Sequence, residues 1–394
     1  MEYLNEGGTK ALMRSGYREA KSYFEDALRM AEGLPSNGDT VSQRVRLRTG
    51  LGLALMNIKG THPAAVLIFY SGSLRLCEHS ENGQERFQLL FGIWNCHLFG
   101  SNLDSAHKTA SELLETASDK DDYQRLEAHH SMWTTKINFG QSSDAIFHLD
   151  RAKDLSINAN RSKWRTYGYH DPLVCSQSMG AIARWSLGYF DQARRSAREG
   201  VETAEQVGHP MTYIVASMAA ATVCYHCGEF EAARRHATAQ LKVATDLAIS
   251  PWRERSAVTL ARLMVDEHRH DEALRILDAN LPVAGAARWM MSGSLALGMG
   301  AEIYTLAGQP ERGLELLCRF SSDQLAGLLC GPELHRLYAE VLLVRSPAAI
   351  DEAAARLRTA VALAQRHQTK AFELRAALSL ARLLAPRDRI AAHE

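Results

Sequence analysis

The residues of this chain that could do chemistry are first of all cysteines and histidines at short spacings. Cys224-Tyr225-His226-Cys227 places two thiols three residues apart, a spacing found in zinc and redox sites. A zinc site needs a second pair of ligands, and a redox pair usually follows a strand, whereas this pair comes at the end of an expected helix, next to Gly228. We therefore predict neither metal binding nor redox chemistry at these cysteines.

The 16 histidines give no metal signature either. His129-His130, His268 with His270, and His226 with His236 lie near one another in sequence, but no His-Glu-x-x-His spacing occurs. The chain also lacks the phosphate-binding G-x-x-x-x-G-K-[ST] loop and the G-x-S-x-G nucleophile turn. We predict no metal, no cofactor and no catalytic residue, and hence a protein that is not an enzyme.

A third group of side chains lies in the segment near 158–171. Here aromatic and cationic residues alternate, a mixture favoured at recognition hot spots. The partner-binding residues predicted from it are Trp164, Arg165, Tyr167, Tyr169 and His170, with Trp94, Asn95 and His130 as weaker candidates from neighbouring helices.

Two other interpretations of this segment stay open. The loop could cover an apolar gap, with Asp171 capping the next helix and Pro172 starting it. An enzyme could use His170 and Asp171 as acid and base, but two adjacent residues seldom converge on one substrate atom.

A glycine that recurs every forty residues indicates the elements that must position these residues. It occupies Gly60, Gly100, Gly140, Gly188, Gly228 and Gly308, with His268 in its place once and with 48 instead of 40 residues before Gly188. A fixed period of this length indicates stacked repeats, and insertions in such repeats fall in loops on one face, often the binding face. The extra length coincides with the 158–171 segment.

Each period predicts a helical hairpin. Five residues after the glycine comes a small residue, as in Ala193 and Ala233, and eight residues before it comes another, as in Gly52 and Gly92. Glycine inside a helix costs about 1 kcal/mol against alanine, so its return at one register indicates close helix approach. The fold class predicted is all-α: a tetratricopeptide-like α-solenoid, a right-handed superhelix of about nine hairpins, forming one domain over 1–394 with a closing helix near 372–384.

Composition and charge narrow the function classes. The 45 basic and 45 acidic residues cancel, which does not favour nucleic-acid binding. No run of 18 apolar residues and no signal peptide occurs, so we expect no membrane span and a cytoplasmic protein. Seven scattered cysteines agree with a reducing compartment.

The blocks Tyr167-Gly168, Asp171-Pro172 and Trp185-x-Leu187-Gly188-Tyr189 resemble the tetratricopeptide region of large bacterial signalling proteins. In those proteins a class III adenylate or guanylate cyclase precedes a STAND-type ATPase, and the repeats come last. The resemblance runs over nearly the whole chain, but both catalytic domains are absent from it. It implies a regulatory module whose partner could be such an ATPase or cyclase in trans.

From these observations the sequence predicts a non-catalytic scaffold of bacterial signal transduction that binds a partner protein or peptide in its concave groove. The alternative is a sensor whose groove closes around a small signal, as in helical-repeat quorum receptors. A homo-oligomer is left open.

Replacing Trp164, Tyr167 and Tyr169 together by alanine tests the predicted contacts, because it removes the three large anchors of the segment. We expect the triple variant to keep its helical circular dichroism and to lose partner capture in a pull-down. Unchanged capture by the folded variant would contradict this assignment.

Overall fold

The structure is a computed structural model, and it describes residues 1–35, 38–58, 63–76, 83–100, 102–159, 170–281 and 291–385. Over these residues it contains twenty helices and no strand. In chain order they are α1 Glu2–Met13, α2 Tyr17–Glu32, α3 Gly38–Asn57, α4 Pro63–Leu76, α5 Gly83–Phe99, α6 Leu103–Thr116, α7 Asp122–Asn138, α8 Ser142–Asn158, α9 Pro172–Ser186, α10 Phe190–Val207, α11 Pro210–His226, α12 Phe230–Asp246, α13 Ser250–Asp266, α14 His270–Asn280, α15 Met291–Leu306, α16 Pro310–Leu317, α17 Ser322–Ala326, α18 Gly331–Arg345, α19 Ile350–Arg366 and α20 Lys370–Leu384.

Consecutive helices pair into hairpins, and the hairpins stack in two layers. The first helix of each hairpin contacts its own second helix and also the first helix of the next hairpin, as α7 contacts α9 and α9 contacts α11. We call these first helices, together with α20, the inner helices. The tetratricopeptide-like α-solenoid predicted from the glycine period is thereby confirmed.

The recurring glycine ends the inner helices in a left-handed turn. Gly188 has a φ of 93°, and the amide of Tyr189 closes the turn by donating to the Arg184 carbonyl at 2.8 Å. His268 adopts the same conformation with a φ of 60°, which is costly for a residue with a side chain. Gly100 ends α5 without a positive φ.

The first turn of the chain has no left-handed glycine. There Ser15 takes the left-handed conformation with a φ of 59°, and Gly16 follows it at φ −80° as the residue before α2. Gly60, the first glycine of the forty-residue series, lies outside the described residues.

The small residues eight positions earlier receive a large side chain from an outer helix. Tyr70 on α4 fills the space above both Gly52 on α3 and Gly92 on α5, and its hydroxyl donates to the Thr49 carbonyl at 3.2 Å. A Cβ at Gly52 would lie 2.2 Å from the Tyr70 ring, far inside van der Waals contact. One aromatic ring thus joins two successive inner helices because both lack side chains there.

The two ends of the solenoid fold back on its middle. Near the N-terminus, Tyr17 belongs to the same buried cluster as Met211 and Ile214 of α11. Near the C-terminus, the ring of Phe372 on α20 meets Trp185 of α9 edge-on at 5.1 Å. The contact near the N-terminus adds to the neighbouring helices that cover α11, which is buried on nearly every face.

No helix among the described residues is long and apolar enough to span a bilayer. The longest, α3, has 20 residues but carries Asp39, Arg44, Arg46 and Arg48.

Replacing Gly52 by alanine tests the Tyr70 contact. We expect Gly52→Ala to lower the free energy of unfolding by about 1–3 kcal/mol, because the buried ring has no room to move away from the new methyl group. Chemical denaturation monitored by circular dichroism measures the change.

The matched control is Gly72→Ala on α4, where a Cβ meets no atom within 4 Å. This variant should gain about 0.5–1 kcal/mol from helix propensity alone. Equal effects of the two substitutions would show that the Tyr70 contact does not require glycine.

Candidate functional site

The sequence-predicted contact residues fall into two sets. Trp164, Arg165, Tyr167 and Tyr169 lie outside the described residues, so their role stays a prediction. Those that the structure describes are Trp94, Asn95, His130 and His170.

Trp94, His130 and His170 lie close together between α5, α7 and α9. The His130 ring lies edge-on to Trp94, with 5.7 Å between ring centres, and edge-on to His170 at 5.1 Å. The indole NH of Trp94 donates to Thr135 at 2.9 Å. Asn95 belongs to the same helix as Trp94, but its amide donates to the Phe91 carbonyl one turn earlier.

These side chains are closed to solvent. Trp94 is 1% exposed, His130 3% and Asn95 4%. A direct contact of these three residues with a partner stays a prediction, and it would require the packing of α5 against α7 to open.

Asp171 and Pro172 start α9 as a capped helix. Asp171 Oδ1 accepts hydrogen bonds from the amides of Leu173 at 2.9 Å and Val174 at 3.2 Å, and Pro172 occupies the first turn. The Asp171 amide in turn donates to Thr212 Oγ1 on α11 at 3.0 Å. The carboxylate is therefore engaged in capping, which agrees with the capping interpretation of this dipeptide.

A different group of inner-helix side chains lines a cleft in the C-terminal half. The concave cleft, as we call it, is formed by α11, α15, α18 and α20. Its lining residues are Tyr225, His226, Leu295, Gly298, Met299, Glu302, Glu333, Leu334, Leu337 and Arg375.

His226 lines this cleft, and both it and Trp185, which packs behind it, carry polar atoms without partners. The His226 ring stacks on Trp185 with 4.4 Å between ring centres and 27° between the planes. Neither ring nitrogen of His226 nor the indole NH of Trp185 has a hydrogen-bond partner among the described residues. Leaving a buried polar atom unpaired costs about 1–3 kcal/mol, so such atoms call for an explanation.

Next to these rings lies a buried carboxylate held by two arginines. Glu333 Oε1 accepts from Arg336 at 2.6 Å and from Arg375 at 2.8 Å, while Oε2 accepts from the same two side chains at 2.9 and 3.1 Å. Burial alone would raise the pKa of Glu333, but the two guanidinium groups hold it well below its usual range. Glu333 is therefore ionised and its position fixed.

A second charged group faces the cleft from α13 and α15. Arg262 binds Glu302 through two nitrogens, at 2.8 and 3.2 Å, and reaches Asp266 at 2.7 Å. Carboxylates and guanidinium groups are thus paired between inner helices beside a largely apolar lining, so the cleft has no strong excess of either charge.

The cleft is narrow in this conformation. Its free volume is about 20 Å³, room for roughly one water molecule. It therefore offers fixed charges, unpaired donors and acceptors and an apolar wall, but a larger ligand could enter only if the neighbouring inner helices moved apart.

This cleft was not predicted from the sequence. His226 was considered there as part of the Cys224–Cys227 motif and together with His236, and Arg262 was not connected with Glu302. A usable signal existed, since Arg262 and Glu302 are 40 residues apart and Glu333 and Arg375 are 42 apart. Opposite charges one repeat apart on inner helices are thus neighbours in space.

Comparisons with known proteins identify the fold. No protein-family model matches the chain, and no curated protein matches it. The crystal structure of a Rap protein complexed with Competence and Sporulation Factor is similar, with a TM-score of 0.65, 13% identity, and coverage of 93% of this chain and 98% of that one. Aspartyl phosphate phosphatase F from Bacillus subtilis is similar with a TM-score of 0.51, 12% identity, and coverage of 93% and 95%. At these identities the likeness establishes a shared helical-repeat fold.

The environment of His226 predicts acid sensitivity. Burial, aided by Arg375, lowers the pKa of His226 from 6.5 to about 3. Below pH 6.5 the unfolded chain therefore binds a proton that the folded chain excludes, and folding loses up to about 1.4 kcal/mol per pH unit from this group down to pH 3. We expect His226→Phe to flatten the fall of stability between pH 6.5 and 4.5 in urea titrations.

Met299→Leu is the control, because it alters the same cleft without changing a titratable group. It should keep the slope of the parent protein. Identical slopes for His226→Phe and the parent would show that His226 does not resist protonation in the fold.

Proposed function

We propose that this protein is a non-catalytic regulatory scaffold that binds a peptide segment in its concave cleft. The observation that carries the proposal is the set of unpaired polar atoms of Trp185 and His226 beside the fixed charges of Glu333 and Arg375.

A peptide is the ligand class that fits such a lining. Every peptide unit brings an N–H donor and a C=O acceptor, so a backbone laid along the cleft could pair with the His226 imidazole that lines it. The indole NH of Trp185 lies behind that ring and would become available to the peptide when the inner helices separate. Leu295, Leu334 and Leu337 supply an apolar wall for an aliphatic side chain.

The charge pattern narrows the peptide further. Arg262 with Glu302 and Arg375 with Glu333 are already paired across inner helices. A strongly basic or acidic ligand would have to compete with these pairs, so a peptide of balanced charge is the better fit.

The similar solved structures support the proposed ligand binding by analogy. A protein of this fold is described in complex with Competence and Sporulation Factor. The ends of this solenoid pack onto its middle, and the cleft is narrow. Both features favour the sensor alternative, in which the inner helices separate to admit a signal and then close around it.

The partners named by sequence resemblance, a STAND-type ATPase or a cyclase acting in trans, stay a prediction. They concern the protein that the scaffold would regulate and not the peptide site itself. A bacterial signalling role belongs to the same prediction.

Selection of a random peptide display library on the purified protein tests the proposal. We expect peptides to be enriched whose binding is weakened at least tenfold by His226→Phe, which removes the ring nitrogens that line the cleft, and by Trp185→Phe, which removes the NH of the ring stacked on His226. The control, Trp252→Phe on α13, alters an inner helix away from the lining residues and should bind as the parent does.

The proposal fails if no peptide is enriched, or if the enriched peptides bind all three variants equally. For the sensor form, a selected peptide should raise the melting temperature by linkage and change the radius of gyration measured by small-angle X-ray scattering. A rise in melting temperature without a change in shape would favour a static scaffold.

A further inference from the structure

Two histidines and one cysteine converge where α9 meets α7. His130 on α7, His170 just before α9 and Cys175 in the first turns of α9 each offer one ligand atom, and these atoms lie within 4.8 Å of one another. We propose that this His-Cys cluster binds one Zn²⁺ ion. The sequence-based expectation of no metal rested on other spacings and did not consider these three residues together.

The donor set suits zinc. Imidazole nitrogen and thiolate sulfur are its preferred protein ligands, with bonds of about 2.0–2.3 Å in a tetrahedral arrangement. Such bonds place ligand atoms roughly 3.3–3.8 Å from one another. The cluster therefore needs a contraction of at most about 1–1.5 Å between ligand atoms, which side-chain rotation can supply. Three protein ligands leave a fourth position for water or another donor.

The orientation of His130 supports the site independently. Its Nδ1 lies 2.7 Å from Glu127 Oε2, and the hydroxyl of Tyr123 donates to Glu127 Oε1 at 2.5 Å. A carboxylate that holds one nitrogen of a histidine turns the other toward the metal and raises its basicity, an arrangement found around most zinc-binding histidines.

The surrounding packing holds the ligands in place before any ion arrives. The His130 ring stacks on Trp133 with 4.9 Å between centres, and the Asp171 cap fixes the start of the helix that carries Cys175. His170 directly precedes that cap. Zinc would accordingly tie the end of the inserted segment to α7.

The free energy needed to bury the three ligand side chains also favours a bound ion. Burying two imidazoles and a thiol costs free energy that their interactions must offset. A shared cation would turn the same three groups into mutually supporting ligands. The Cys224–Cys227 pair has no such second set of ligands among the described residues.

Cobalt substitution tests the site on the full chain. After treatment with a chelator, the protein is titrated with Co²⁺ and its absorption recorded. We expect one equivalent per chain, a thiolate-to-cobalt charge-transfer band and intense visible bands of a tetrahedral ion, all displaced by one equivalent of Zn²⁺. Cys175→Ser should remove the charge-transfer band. If this variant does not fold, His170→Ala tests the site in its place and should weaken zinc binding at least tenfold.

The matched control is the double variant Cys224→Ser, Cys227→Ser, which should keep the full spectrum. Glu127→Gln should weaken zinc binding about 10- to 100-fold and keep the charge-transfer band, as expected of a positioning residue. Loss of the spectrum in the double variant, or a weak octahedral spectrum without a thiolate band, would overturn the proposal. Neither readout depends on the peptide proposed for the cleft.

Discussion

The packing of each internal inner helix against four neighbouring helices is the constraint on which the rest of this structure depends. Such a helix contacts the second helices of its own and of the preceding hairpin, and also the inner helices before and after it, so most of its surface is committed to the solenoid. The contacts are close because side chains are missing at matched positions, as where the Tyr70 ring covers both Gly52 and Gly92. Any group that acts on a ligand must lie on the small part of the surface that these contacts leave free.

That constraint explains why polar side chains meet at intervals of one repeat. Trp94 bonds to Thr135, Asp171 to Thr212 and Arg262 to Glu302, each pair 40 or 41 residues apart. The concave cleft and the His-Cys cluster are both built from such neighbours. One lies between inner helices of the C-terminal half, and the other lies where the period is lengthened.

The sequence could predict what depends on local chemistry. The left-handed turn at Gly188 and the cap formed by Asp171 follow from single residues and their immediate neighbours, and both are present in the structure. In the first turn Ser15, and not the glycine that follows it, takes the left-handed conformation. A strained non-glycine turn has no sequence signature.

The sequence could not predict the contacts that depend on how closely successive hairpins pack. Whether Trp94 and His130 face a partner or a core is decided by helices far along the chain, and the structure buries both. The same holds for His226, whose neighbour Trp185 belongs to another hairpin, and for the meeting of His170 with Cys175 and His130.

The contacts between the ends and the middle change how such a protein comes apart. In an open solenoid each repeat interacts only with the adjoining ones, so terminal repeats can fray while the centre stays folded. Here the ring of Phe372 rests on Trp185, and the amide of Leu329 donates to the Asn138 carbonyl at 3.2 Å, joining segments nearly two hundred residues apart. Such distant contacts slow folding because long loops must close before they form. They also make the stability of the last hairpin depend on that of the central ones. Melting of this chain is accordingly a concerted event and not a progressive unravelling from its termini.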